Sequence, residues 1–488
     1  MVIESLKYKI LQQFGFAPTQ EQGQALDTFV SFLTDCDPQA VMILRGSAGT
    51  GKTSLSGAIV RTLLQIRQKV MLLAPTGRAA KVFSLGSGAP AYTIHRRIYR
   101  EKAFAGVDGQ FSLNDNLYTD TLFMVDEASM IANMGLGGTT FGSGCLLDDL
   151  VKFVYQGHND RLLLIGDKAQ LPPVGEEESP ALSASVMEGY GLKVYECDLN
   201  EVLRQSQSSG ILYNATLIRQ MITHDAVTGL PLIRFKGFAD IVMMPGAELV
   251  ESLGDSYHHV GMDETMVITR SNKRANIYNN GIRNMVLDRE EELSSGDMLM
   301  IVKNNYFWTE KEKKESGEGS AGAVPAFLAN GDRAKVLRVS NYIELYGFRF
   351  ATLLLQLPDY DDYEMQVTGM LDTLQSEAPA LTHEQQEELF RQVEEDYQHF
   401  VPLKADRMKS IRQDAYFNAL QIKYAYAVTC HKAQGGQWAH VYVDQGYMTD
   451  DMLTPDYIHW LYTAFTRATD KLFLVNWPKE QTCEPTDL

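Results

Sequence analysis

The octapeptide Gly46-Ser-Ala-Gly-Thr-Gly-Lys-Thr53 follows the apolar run Ala40 to Leu44 and opens the periodic stretch Ser54 to Leu64. A GxxxxGK[ST] phosphate loop works only in that strand-loop-helix setting, which commits this part of the chain to an α/β sheet. Glycines let backbone N–H groups face phosphates at a helix N-terminus. Gly46, Ser47, Ala48, Gly49, Thr50 and Gly51 then form the cradle, Lys52 reaches the β- and γ-phosphates, and the Thr53 hydroxyl ligates Mg²⁺. The implied ligand is a nucleoside triphosphate. What its energy drives stays open, because unrelated activities share the loop.

At 488 residues the chain exceeds one ordinary core, and its length suggests about three domains. No apolar stretch approaches the ~20 residues that span a bilayer. The N-terminus MVIESLKYKI carries an early glutamate and lacks a signal-peptide core. A soluble, cytoplasmic protein without a membrane partner is expected. Cys36, Cys145, Cys197, Cys430 and Cys483 are scattered, with neither CxxC nor His-Cys spacing, and read as reduced thiols rather than a disulfide framework or a zinc site. The formal net charge of −18 argues against coating nucleic acid through global electrostatics. Much of that acid lies in Asp359 to Asp396, so a local basic channel is compatible with it.

Four short apolar runs, Ala40 to Leu44, Val70 to Ala74, Leu122 to Val125 and Leu162 to Ile165, end in polar or glycine residues, as ligand-binding strands of a parallel sheet do. Arg100 to Leu113 reads as a small hairpin around a Gly-Val-Asp-Gly turn. A second α/β set has strand candidates Met266 to Thr269, Tyr424 to Val428, Val441 to Asp444 and Leu472 to Val475. Inside it, Asp297 to Lys303, Arg333 to Val339 and Tyr342 to Leu357 suggest a small barrel, the last as a hairpin or one long strand. Thr382-His-Glu-Gln385 is a capping box before an acidic helix running to about Tyr397. Thr309 to Ala323 lacks apolar periodicity and is expected to be a loop.

Asp126-Glu127 follows the strand Leu122 to Val125. Asp126 suits Mg²⁺ and Glu127 suits polarising an attacking water. The next strand ends Gly166-Asp-Lys-Ala-Gln170, placing Gln170 to contact the γ-phosphate or its water.

In this order the motifs resemble those of the superfamily 1 helicases, whose core is two RecA-like domains with ATP between them. Pro18-Thr-Gln-Glu-Gln22-Gly-Gln-Ala25 is similar to the family's Q motif, which implies Gln22 on the adenine edge. Ala74-Pro75-Thr76-Gly-Arg78-Ala-Ala-Lys81 looks like motif Ia, and Thr93-Ile-His95-Arg96 like the DNA-contacting segment after it. Leu199-Asn-Glu-Val-Leu-Arg204-Gln205 resembles motif IV, Ala427-Val-Thr429-Cys-His431-Lys432-Ala-Gln434-Gly435 motif V, and Tyr462-Thr-Ala-Phe-Thr-Arg467-Ala468 motif VI. The resemblance implies Arg204 and Arg467 as arginine fingers, Gly435 and Gln437 near the nucleotide sugar, and Pro75, Thr76, Arg78, His95, Thr429 and His431 on DNA. Family members often carry glutamate where this chain has Gln437. An amide can still hydrogen-bond a ribose hydroxyl, without adding charge.

Within superfamily 1 the chain looks most like the RecD, Dda and Pif1-type branch, and Dda-like members most of all. That implies an α/β fold of two RecA-like parallel-sheet domains, a hairpin pin inserted in the first, and a small SH3-like barrel with a helical segment inserted in the second. The expected division is 1–96 with 118–205, the pin at 97–117, then 206–289 with 421–488, and the insertion at 290–420. Phe104 or Phe111 would be the wedge that stacks on a base. The implied activity is ATP- and Mg²⁺-dependent travel from 5′ to 3′ on single-stranded DNA and unwinding at junctions, by a monomeric motor working with replication or recombination proteins. The alternative is a nucleotide-gated DNA-binding or loading factor, or a translocase that does not unwind processively. A fused nuclease has only Glu312-Lys-Lys314 to offer, which reads as a solvated charge run.

Overall fold

In the computed structural model, residues 2–105, 108–135, 141–201, 208–223, 229–316, 324, 325 and 327–483 are described. The phosphate-loop strand Ala40–Gly46 lies inside a six-stranded parallel sheet, between Arg161–Gly166 and Lys193–Leu199. Beyond Arg161–Gly166 follow Thr121–Val125, Lys69–Ala74 and the short Ala91–Thr93. The four expected strands are all present. The edge strand Lys193–Leu199 escapes a search for apolar runs because only Leu199 is buried and its other residues are half-buried or exposed.

Both faces of this sheet are covered, as a parallel sheet requires. Val2–Phe14, Gln20–Leu33 and Lys52–Gln65 pack on one side; Ile94–Ile98 and Leu146–Gln156 close the other. Helix Lys52–Gln65 approaches Gly77–Ser87 so closely that a Cβ on Gly57 would stand 2.5 Å from the Gly86 carbonyl oxygen.

The second parallel sheet runs Ala427–Thr429, Thr265–Thr269, Trp438–Asp444, Ala468–Val475, Ile241–Met244. Tyr424 is not in it. The expected strand Tyr424 to Val428 is two strands: Leu420–Tyr424 closes a five-stranded barrel, and after Ala425 and Tyr426 the chain enters the sheet. The boundary expected at residue 421 therefore falls inside a barrel strand. The apolar run is continuous because both halves are buried, so composition alone does not reveal the change of sheet.

The barrel's other strands are Met298–Ile301, Arg333–Leu345, Phe348–Leu357 and Tyr363–Met370. Tyr342 to Leu357 is thus the end of one hairpin strand and all of the next, turning at Tyr346 and Gly347, both with positive φ. The capping box at Thr382 and Gln385 forms and starts the helix His383–Gln398. The loop expected from Thr309 begins instead as the helix Phe307–Ser316. Tertiary contact overrides its weak pattern: the Asn305 side chain accepts from the Trp308 N–H, and the buried Trp308 indole donates to Asn418 O at 2.9 Å. Residues 317–323 lie outside the described residues.

Asp297, 0% exposed, fastens the barrel to the second sheet. It takes Arg283 at 3.1 Å, Arg289 at 2.5 Å and the Tyr426 hydroxyl at 2.8 Å. Among the described residues, no helix is long and apolar enough to cross a membrane. All five cysteines are free.

Candidate nucleotide and nucleic-acid site

The phosphate loop turns into helix Lys52–Gln65 at Gly51, whose φ of 81° only glycine adopts without strain. Lys52 Nζ donates to Gly46 O and, at 2.9 Å, to Ser47 O, which holds the ammonium inside the loop. Thr53 is exposed at the helix start. Gln22 is buried, with Nε2 donating to Thr50 O at 2.9 Å and Oε1 accepting from Thr19 N. Both ends of its amide are engaged, so here it braces the loop rather than reading a base.

Asp126 and Glu127 leave the strand Thr121–Val125 together. Burial, and then the Glu127 carboxylate beside it, push Asp126 up to about 7. Glu127 has φ of 52°, a costly left-handed conformation for a side-chain-bearing residue. Thr53 and Asp126 are the donors that would hold Mg²⁺, which typically takes one or two protein oxygens, phosphate oxygens and water. Among the described residues no cluster of three His, Cys, Asp or Glu side chains forms a self-sufficient metal site. The donor set fits an ion that arrives with the nucleotide. Gln170 is buried with Oε1 lacking a partner, an orphan acceptor that a bound water would satisfy.

The second sheet reaches this loop through residues not singled out from sequence. Tyr462, 1% exposed, accepts from the Ala48 N–H at 3.0 Å and donates to Asp167 at 2.7 Å. Arg219, on helix Gly210–Thr223, donates to Ser47 Oγ at 2.7 Å. Thr463 Oγ1 accepts from Leu171 N and Gln434 Nε2 donates to Leu171 O. Tyr462 lies in the quoted motif VI, where the arginine drew attention from it; Arg219 has no local signal beyond a basic residue on a helix.

The expected finger Arg467 is 3% exposed and spends its donors within its own domain, on Thr463 O, Gly436 O and Thr466 Oγ1. It is not among the groups bonded to the loop. Arg204 lies outside the described residues. Gly435 and Gln437, expected at the nucleotide sugar, meet motif Ia instead. A Cβ on Gly435 would stand 3.1 Å from Thr76 Oγ1, and Gln437 O accepts from Arg78 at 2.7 Å. The Arg78 guanidinium also covers the Trp438 ring at 4.3 Å. Burial and the nearby Arg333 lower it to about 10, still a cation at neutral pH.

Pro75, Thr76 and His431 lie just beyond parallel strands and Thr429 ends one, Thr76 capping its helix through Ala79 N and His431 exposed. His95 packs on Tyr99 and Phe141, and burial lowers its imidazole to about 4. It is therefore neutral and offers a hydrogen bond to a phosphate, not a charge. The hairpin forms as Tyr99–Ala105 and Asp108–Leu113. Phe104 pairs with Gly109 near its tip, and its side chain lies outside the description. Phe111 is no free wedge. It stacks on Phe141 at 4.6 Å and leans on Tyr306 at 5.2 Å, and Tyr306 stacks on Phe327 of the insertion.

With that geometry, two family profiles fall where the two sheets do. One for an AAA domain matches residues 17–229, and one for a UvrD-like helicase C-terminal domain matches residues 424–475. The chain therefore carries an AAA domain and a UvrD-like helicase C-terminal domain. The ATP-dependent RecD2 DNA helicase of Deinococcus radiodurans is 30% identical over 32% of this chain and 18% of its own length. The ATP-dependent DNA helicase dda of Enterobacteria phage T4 is 25% identical over 53% of this chain and 55% of its own. The chain thus spans about half or less of those two relatives. A Pif1 helicase from Bacteroides solved with ADP-AlF3 and single-stranded DNA aligns over 96% of this chain and 95% of its own, at 13% identity and a TM-score of 0.47. In this chain the loop Gly46–Thr53 meets motif VI at one contact, and motifs Ia and V meet at a second.

Proposed function

We propose that this chain is an ATP-driven motor that moves 5′ to 3′ along single-stranded DNA and parts duplex against its hairpin. The observation that carries this reading is the Tyr462 hydroxyl, bonded at once to Ala48 of the loop and Asp167 of the neighbouring strand end. A nucleotide in the loop must disturb or complete that bridge, which converts its binding into a displacement between sheets. The DNA substrate rests on likeness to the Dda and RecD2 DNA helicases, and the polarity on the motif resemblance alone.

Glu127 is the group to polarise the attacking water, and its left-handed backbone breaks the strand's regular direction at that residue. Lys52 would leave the loop carbonyls for the β- and γ-phosphates, and Gln170 would orient the water. Mg²⁺, when bound, neutralises phosphate charge. Thr76, Arg78 and Thr429 would grip a strand without reading its sequence.

The test is unwinding of matched duplexes carrying only a 5′ or only a 3′ single-stranded tail, in DNA and in RNA, alongside ATPase assays with and without each strand. Strand-stimulated ATPase and a preference for the 5′ tail support the motor; preference for the 3′ tail sinks the branch polarity. A second reading, a nucleotide-gated clamp, draws on Arg467 being held inside its own domain. It predicts strand affinity that changes with nucleotide but no unwinding.

A further inference from the structure

The turn that carries Gln170 is gripped from the other domain. Within its own domain Asp167 closes it, Oδ1 accepting from Ala169 N at 3.0 Å and the backbone carbonyl from Gln170 N at 3.3 Å. Three further backbone bonds cross to the second domain. Ala169 O accepts from His459 Nδ1 at 2.9 Å, Leu171 N donates to Thr463 Oγ1 at 2.8 Å, and Leu171 O accepts from Gln434 Nε2 at 2.7 Å. His459 and Thr463 stand one turn apart on helix Pro455–Phe465, so two of these grips come from the motif VI helix. The third, Gln434, comes from motif V.

Gln170 sits between the gripped residues, buried, with Oε1 lacking a partner among the described residues. A side chain starts from the backbone that carries it, so whatever fixes Ala169 and Leu171 fixes where that oxygen stands. A misplacement of ~1 Å in a group that orients a reacting atom can cost about 10²-fold in rate. Gln434 is itself buried, at the end of helix Cys430–Ala433, and its N–H donates to His431 O at 3.4 Å. The residues after it turn the other way. Gly435 lies against Thr76 of motif Ia, and Gln437 O holds Arg78. One short segment therefore faces the water-orienting turn with Gln434 and the proposed strand residues with its neighbours.

We propose that Gln434 is a positioning residue for hydrolysis: from motif V it holds the Leu171 backbone, and so sets where Gln170 presents its oxygen to the attacking water. The assignment rests on the motor reading for the reaction and adds the group that places its water. Gln434 touches neither nucleotide nor strand in this role. It acts through one buried hydrogen bond to a main-chain carbonyl, which a side chain of equal length without a donor leaves empty. A strand seated where motifs Ia and V meet would shift the same segment, so its presence reaches the water through Gln434.

The test measures steady-state ATP hydrolysis, with and without single-stranded DNA, by the wild type, Gln434→Met and Gln434→His. Methionine matches the length of glutamine and has no donor, whereas the histidine ring carries an N–H at a similar reach. Gln434→Met should lower kcat about tenfold, the scale of a coupling between sites, with the KM for ATP unchanged, and Gln434→His should recover most of the loss. A kcat equal to wild type in Gln434→Met, a fall in kcat accompanied by a rise in KM, or a loss that Gln434→His shares overturns the proposal, because a cleft that merely loosens disturbs binding and chemistry together. Should Gln434→Met not fold, the pair Thr463→Val and Thr463→Ser puts the same question to the Leu171 N–H: the valine variant should lose kcat at constant KM and the serine variant keep it, and equal rates in the two overturn the proposal. Wild-type hydrolysis indifferent to DNA would sink the motor reading, while a donor-dependent kcat at residue 434 would still uphold the positioning role.

Discussion

Removing the Tyr462 hydroxyl would leave two polar partners, the Ala48 N–H and one buried Asp167 oxygen, without it. Tyr462→Phe should cost about 1–3 kcal/mol in denaturant unfolding and raise the KM for ATP, because the loop loses a brace. Glu127→Gln should instead leave nucleotide binding near wild type and lower kcat by roughly 10² to 10⁴. Asp332 carries a pH prediction. It is fully buried, accepts from Tyr360 OH and Ala329 N through Oδ2, and leaves Oδ1 without a partner against Gly77 of motif Ia. Burial raises its carboxyl from 3.8 to about 7. The folded state then holds a proton that the unfolded state has lost, so stability declines as pH rises from about 4 through about 7 and levels off above. Asp332→Asn should flatten that part of a stability-against-pH curve; an unchanged slope would place the titration elsewhere, with Asp126 the next candidate.

Helix Lys52–Gln65 and helix Gly77–Ser87 meet at Gly57 and Gly86, where there is no room for a methyl group. Gly57→Ala should destabilise the first domain by about 1–3 kcal/mol through overpacking, read as a shifted denaturation midpoint at constant slope. The hairpin depends on contacts beyond itself. Phe111→Ala removes the ring joining Phe141 to Tyr306 and should abolish duplex unwinding while strand-stimulated ATPase persists. Elements with a local signature were legible in the sequence: the strand before Gly46, the Asp126-Glu127 strand end and the Thr382 capping box depend on near neighbours. Features set by distant partners were not. Helix Phe307–Ser316 is held by Asn418, and Gln22 is turned onto Thr50, 28 positions away. Arg467 stands out in the sequence as a motif residue, but its engagement with Gly436 and Thr463 depends on how two loops fold together.

At the scale of the whole molecule, two of the contacts between the domains among the described residues bear on the proposed ligand sites. One is the phosphate loop against motif VI; the other is motif Ia against Trp438, Gln437 and the barrel. Asp297 and its arginines tie the barrel to the second sheet, and only Ala425 and Tyr426 separate the last barrel strand from the sheet strand that ends in motif V. A barrel so short-tethered should turn with its sheet, so in the proposed motor parting the phosphate loop from Tyr462 should also move Asp332 relative to Gly77. The two proposed ligand sites would then share a single mechanical coordinate. Thermodynamic reciprocity follows: whatever factor a bound strand imposes on nucleotide affinity, the nucleotide must impose on strand affinity, and one titration predicts the other.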